Sequence, residues 1–368
     1  MNKYLIFTIG IIAALINLSC EDDYLDPVRN TNTLTSQEIA DNVENNPELV
    51  EGTLQGIVGF MIDDFGTLGD AAEQHYDIGQ KGVDIWTDIT CGDAALSASA
   101  FGWYNSTSNL QTQTDFTATE NEVIWNFYFR IINIANQVIQ SSGGNDPETD
   151  SASALRINAQ GKAFRAYAYY YLTQLFQTEY NPTEPILPFY DGENDTFSKV
   201  PASQIYDLMI SDLTFAVENL EGYTRETKSL IDQSVANGLL AYVYGAMGDY
   251  ENCRDAADAV INSGKYPLTT SGELAFPGAG SGFNSIGSSW VWGFDITADL
   301  GHQLINWWGQ MDYFTYSYAW AGDTKSIDDN LYAQIPDNDI RKQQFDQGAQ
   351  PLQPVKKFFD DGRTPGGQ

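Results

Sequence analysis

Basic residues are scarce in this 368-residue chain: 18 Lys and Arg stand against 50 Asp and Glu, a formal net charge of −32. A surface that acidic repels a phosphate backbone and no basic stripe offsets it, which excludes nucleic acid as a partner class. Histidine and cysteine are scarcer still. His75 and His302, with Cys20, Cys91 and Cys253, leave few ligands for a zinc site or a His-dependent triad. The sequence therefore points to no catalytic residue, no metal and no cofactor. Apolar residues are not lacking: at 42% hydrophobic and 13% aromatic, the chain is too apolar to stay disordered and long enough for one large core or two smaller ones.

Long hydrophobic runs are absent except at the start, where residues 4–18 follow Lys3 and are broken mainly by Thr8, Gly10 and Asn17. That run is too short for a membrane span and no basic stop-transfer patch follows, so residues 1–19 read as a secretory signal peptide. Its ending, Leu18-Ser19-Cys20, resembles the lipobox of bacterial lipoproteins. The resemblance implies that Cys20 is the lipidation site and that acyl chains hold the protein on a membrane. Glu21-Asp22-Asp23 resembles the surface-export signal of Bacteroidetes lipoproteins, which implies a place on the outer face of the outer membrane. Cleavage removes Lys3 and no acid, taking the charge from −32 to −33. Cys91 and Cys253 then remain, either paired in an oxidising compartment or as independent thiols, with no spacing signal to decide.

Residues 20–35 are polar and read as a tether between lipid and fold. Helical spacing dominates residues 36–266, interrupted at 66–119 by a stretch rich in Gly, Ser, Thr, Asp and aromatics that reads as irregular structure. Leu49, Val50, Leu54, Ile57, Val58, Met61 and Ile62 share one helix face, and residues 122–140 form another helix that stops at Ser141-Ser142-Gly143-Gly144. Residues 152–177 carry two apolar stripes, Ala159, Ala163, Ala166, Tyr170 and Phe164, Ala168, Tyr171, Leu175, so that helix packs on two sides. A helix opening near Ser203 is followed by a pair that meets at Met247-Gly248-Asp249-Tyr250, with Ala256, Ala257, Val260 and Ile261 on the second member. Small residues and a tight Gly-Asp turn make this pair similar to a tetratricopeptide hairpin. Residues 267–368 lose the period and read as loops laid over the helices, with one more amphipathic stretch at 328–345. The expected fold is mostly α: a tetratricopeptide-like helical hairpin scaffold with a loop-rich ligand-binding subdomain.

Ordered along the chain, these pieces resemble the SusD/RagB family of outer-membrane nutrient-binding lipoproteins. The resemblance rests on the lipobox; on Trp125 with Arg130 and Asn133 to Asn136; on Gly161-Lys162-Ala163-Phe164-Arg165-Ala166-Tyr167; on Val200-Pro201-Ala202-Ser203 with Ile210-Ser211-Asp212-Leu213; and on the hairpin around Gly248. The segment from Gln177 to Pro188 is longer than the family's and carries three prolines, and the family's closing Arg-x-Ala-Glu motif does not follow Gln368. The resemblance thus implies a C-terminally truncated member. It also implies a binding protein rather than an enzyme. Such a protein would capture an oligosaccharide at the cell surface and hand it to a SusC-like TonB-dependent transporter. Two other readings remain at this stage: a surface glycoside hydrolase on a helical scaffold, and a structural repeat protein that never touches substrate.

Sugar capture needs flat rings against the apolar faces of pyranoses, and amides or carboxylates for the hydroxyls. Trp125 lies in a helix motif and reads as core. Trp86, Trp103, Trp290, Trp292, Trp307, Trp308 and Trp320 lie in the two irregular regions, where loops on a rigid scaffold carry binding surfaces. The candidate ligand-binding residues are Trp103, Tyr104, Asn105, Trp307, Trp308 and Trp320. Trp290 and Trp292 would point the same way on a strand, so one face there reads as core. Gly278-Ala279-Gly280-Ser281-Gly282 has no strand before it and is no phosphate cradle. Asp337-Asn338-Asp339 lacks the Gly and distal Glu of a calcium loop and reads as a solvated turn. Arg165 and Asp212 read as partners in structural ion pairs.

Overall fold

The computed structural model describes residues 48–62, 79–274, 287–294, 307–311, 317–345 and 351–357. The signal peptide, Cys20 and the tether lie outside them. In chain order come α1 (Glu48–Ile62), α2 (Gly79–Cys91), β1 (Ala94–Leu96), α3 (Asn105–Ser108), α4 (Thr119–Ser141), α5 (Ala152–Phe176), β2 (Pro185–Pro188), β3 (Lys199–Pro201), α6 (Ala202–Asn219), α7 (Gln233–Met247) and α8 (Tyr250–Asn262). Short pieces follow: α9 (Ser271–Leu274), α10 (Trp307–Met311), α11 (Tyr318–Ala321), β4 (Lys325–Ile327) and α12 (Asp329–Gln334).

Helix α5 is the pivot. Ser151 caps its first turn by accepting a hydrogen bond from the Ala154 amide. Its alanines at 159, 163, 166 and 168 let α4 and α6 approach on opposite sides, as the two stripes require. Phe164, Tyr169 and Leu172 are fully buried among Ile131, Ile132, Ile205, Met209 and Leu213. Each large side chain so buried contributes about 1.5–3 kcal/mol, more than any helix-propensity difference, so packing rather than local preference holds α5 and its run of tyrosines.

The expected hairpin is α7 and α8. Gly248 takes φ +79°, a left-handed backbone that side chains disfavour, and lets the Asp249 amide reach back to the Tyr244 carbonyl at 2.9 Å. Asp249 then caps α8 by accepting from the Asn252 amide at 3.2 Å. On α8 Ala256 is buried, Ala257 and Val260 are partly buried and Ile261 is 70% exposed, so the apolar face read for this helix is covered only in part.

Three other expectations change. The stretch 66–119 was expected to be irregular, yet it contains α2, β1 and α3. Val83, Trp86 and Ile89 recur every three residues and are buried, and this burial overrides the glycines and threonines that masked the period. The 328–345 stretch is not one helix. It breaks at Pro336 into α12 and a 3-10 turn at Ile340–Gln344, because proline cannot donate within a helix. Finally, β1 pairs antiparallel with β4, Leu96 opposite Lys325, so the early insertion and the late loop region are one structural unit rather than two. Cys91 and Cys253 are both free thiols, the second of the two alternatives read from the sequence.

Candidate functional site

The β1–β4 pair aims two loops at each other. Beyond it, Ser97 N bonds Thr324 O at 2.9 Å and Ala100 N bonds Gly322 O at 3.1 Å. A side chain on Gly322 would begin 2.9 Å from the Ala100 Cβ, and its φ is +123°, so glycine is what permits this approach. The Asp323 carboxylate accepts from the Phe101 amide at 3.0 Å and closes the contact.

Three rings meet across that seam. Trp103 stacks on Phe101 with centroids 5.3 Å apart, and Tyr318 stands edge-on to Trp103 at 4.3 Å and to Phe101 at 5.2 Å. Phe101 is 50% exposed, Trp103 and Tyr318 are half-buried, and Trp320 on the same turn of α11 is 53% exposed. Two residues apart on a helix, Tyr318 and Trp320 face different sides, so the platform is Phe101, Trp103 and Tyr318 with Trp320 beside it. A cavity of about 440 Å³ is lined by Trp86, Thr107, Phe116 and Glu120 and by none of these rings. The rings form an open surface on which a flat apolar face can lie.

Tyr104 is a correction. Its backbone is left-handed at φ +61° and its side chain is 2% exposed, so it points into the core while its neighbour Trp103 supplies the ring to the surface. Above the Tyr104 ring, at 4.7 Å, sits the buried Lys325 ammonium. Asn105 is exposed at the start of α3. Trp307 is half-buried at the start of α10 and, like Trp103, packs partly against the core. The side chain of Trp308 lies outside the described residues. Trp292 likewise goes to the core: it packs edge-on to Tyr167 at 5.0 Å and its indole donates to the Ser229 carbonyl. Segment 290–294 is not a strand.

Charged groups elsewhere are accounted for structurally. Asp337 pairs with Lys342 at 2.8 Å and Asp339 with Arg341, whose hydrogen bonds hold the Asp339 carboxyl at about 2. The most displaced carboxyl is Asp84 on α2. Burial pushes it up to about 6, against hydrogen bonds from Gln80 and Tyr171 that favour the ion. A carboxyl tuned this far is an acid–base candidate in principle. It lines none of the described cavities, however, and its bonds run to Gln80 on its own helix and to Tyr171 on α5. Because its folded value lies above the unfolded 3.8, its favourable contribution is complete below that value and is lost as pH rises through about 6. Asp84→Asn keeps the accepting oxygen. It should raise stability at pH 7 by about 1–2 kcal/mol and flatten the loss between pH 4 and 6, read as melting temperatures across that range.

Residues 66–244 match the SusD-like family, described as starch-binding and associating with the outer membrane. This family match spans just under half of the chain. Over 145 residues it is 31% identical to SusD-like protein P2 of Formosa agariphila, which covers 38% of this chain and 26% of that protein. A SusD-like carbohydrate binding protein from Bacteroides vulgatus superposes with a TM-score of 0.64 at 21% identity, over 83% of this chain and 61% of that one. A second SusD superfamily protein from the same organism gives 0.62 at 18% identity, over 82% and 65%. The chain thus spans about a quarter of the curated relative and under two thirds of these solved structures, and the structural likeness is one of fold.

Within this SusD-like fold, Phe101 and Tyr318, which the sequence did not single out, stand beside the candidates Trp103 and Trp320. A signal was present. Phe101-x-Trp103 and Tyr318-x-Trp320 are the same aromatic alternation in both loops. What it lacked was the pairing of β1 with β4.

Proposed function

We propose that this protein is a cell-surface glycan-binding lipoprotein that captures an oligosaccharide on the Phe101, Trp103 and Tyr318 platform and delivers it to a SusC-like TonB-dependent transporter. Cys20 carries the lipid anchor on the outer membrane. The observation that carries the reading is the solvent-facing platform itself. Exposed aromatic area costs free energy unless something covers it, and the apolar face of a pyranose fits a stacked ring. The family's description as starch-binding supports the same ligand class. The acidic surface does not impede a neutral sugar.

Isothermal titration of the mature protein against malto-, xylogluco- and β-glucan oligosaccharides should give binding without product formation. Failure of every saccharide while peptides bind would sink the reading. Product release abolished by one Asp→Asn or Glu→Gln change would move it to a glycoside hydrolase.

A further inference from the structure

We propose that Lys325 is the positioning residue of this surface: its ammonium ties together the three separate segments that carry Trp103, Trp307 and Trp320. The inference rests on the glycan-binding reading for its functional meaning, and on geometry for its structural one.

Lys325 lies on β4, opposite Leu96, and is only 3% exposed. Its Nζ donates to the Gln310 carbonyl at 3.1 Å, in the short helix that Trp307 begins. It donates again to the Asp323 carbonyl at 3.2 Å, just beyond the helix that holds Trp320. It also sits over the ring of Tyr104, the chain neighbour of Trp103. The Asp323 carboxylate, which accepts from Phe101 N, attracts the same ammonium. One cation therefore contacts all three segments at once. Hydrogen bonds from a charge are about twice as strong as neutral ones, and burial strengthens them further. A methionine would fill the same space without the cost of desolvating a charge, so the charge is retained for what it holds.

The charged and titratable groups around it are Asp323 and Tyr104 in contact, with Asp88, Asp93 and Lys357 across an adjoining cavity of about 190 Å³. Burial pushes the Lys325 amine down to about 8 from 10.5. Raising pH through about 8 removes the charge and with it the cation–π contact. Folding responds in the opposite sense: the unfolded chain binds the extra proton between those values, so this group's contribution to stability rises with pH. Loosening of the platform at alkaline pH is thereby distinct from general unfolding.

The test is amide hydrogen exchange on the full mature chain, corrected for intrinsic rates, at pH 7 and 9.5 for wild type and Lys325→Met. Protection in residues 97–104, 307–311 and 317–323 should fall together, about tenfold, in wild type at pH 9.5 and in Lys325→Met already at pH 7. Helices α4 to α6 should not change, and the variant should show no further loss at pH 9.5. Unchanged protection in the three segments, or their separate response, overturns the inference. Should Lys325→Met not fold, Lys325→Gln replaces it in the same comparison, since it also removes the charge. Saccharide titration separates the two levels: if no saccharide binds the wild type while the exchange pattern holds, the glycan reading fails and the tie stands.

Discussion

Asp212→Ala lowers the unfolding free energy by about 3–5 kcal/mol, the cost of leaving a buried guanidinium without its counter-ion. Arg165 donates to both Asp212 carboxylate oxygens at 2.8 Å, and both side chains are 1% exposed. Its remaining bonds go to Asn136 Oδ1 and the Asp191 carbonyl, each at 2.9 Å. One side chain thus ties α4, α5, α6 and the loop after β2. Asn136 extends the tie, since its amide donates to the Tyr190 carbonyl at 3.2 Å. The pair matters through its burial, not through ionic attraction in itself, and a double variant separates the two. Arg165→Met with Asp212→Leu removes both charges and should recover most of the loss, because packed apolar groups replace a desolvated ion pair at little cost. Urea denaturation followed by far-ultraviolet circular dichroism measures both. A loss below about 1 kcal/mol for Asp212→Ala would mean that water or a local shift solvates the guanidinium, as at surface pairs.

Saccharide affinity falls about thirtyfold in Trp103→Ala, on the order of the 2 kcal/mol that truncating a central aromatic anchor costs an interface. Trp103 is the largest ring of the platform, in contact with both Phe101 and Tyr318. Its removal deletes a stacking surface and also loosens its two neighbours. Trp320→Ala removes an exposed ring from the edge and should cost less. Trp103 is half-buried and contributes to packing, so the control is Trp103→Phe, which keeps a ring and should restore most of the affinity. Titration calorimetry with the strongest-binding oligosaccharide measures affinity, and an unchanged melting temperature excludes unfolding as the cause. Equal affinities for wild type and Trp103→Ala would remove the platform as the binding surface.

Arg165 and Trp103 also illustrate how much was legible beforehand. Arg165 and Asp212 sit in helical motifs and read as members of structural ion pairs; that they pair with each other is shown by the structure. Which residues completed the set was not legible, because Asn136 and the Asp191 carbonyl reach Arg165 only once α4 and the loop after β2 are packed. Trp103 was legible as a ring in a loop, but its neighbour Tyr104 was misassigned. Whether a loop residue points outward depends on a single backbone torsion, and here a left-handed φ at Tyr104 sends one ring inward beside another left at the surface.

The sequence by itself determined what depends on neighbours a few residues apart. The helical period of the scaffold and the Gly248-Asp249 turn are local, and they need no knowledge of distant contacts. Tertiary structure alone decided the candidate site. Phe101 N and the Asp323 carboxylate are 222 residues apart in sequence, and no periodicity carries information across that distance. Only the β1–β4 pairing, with Lys325 buried beneath it, brings two modest aromatic alternations together as one surface.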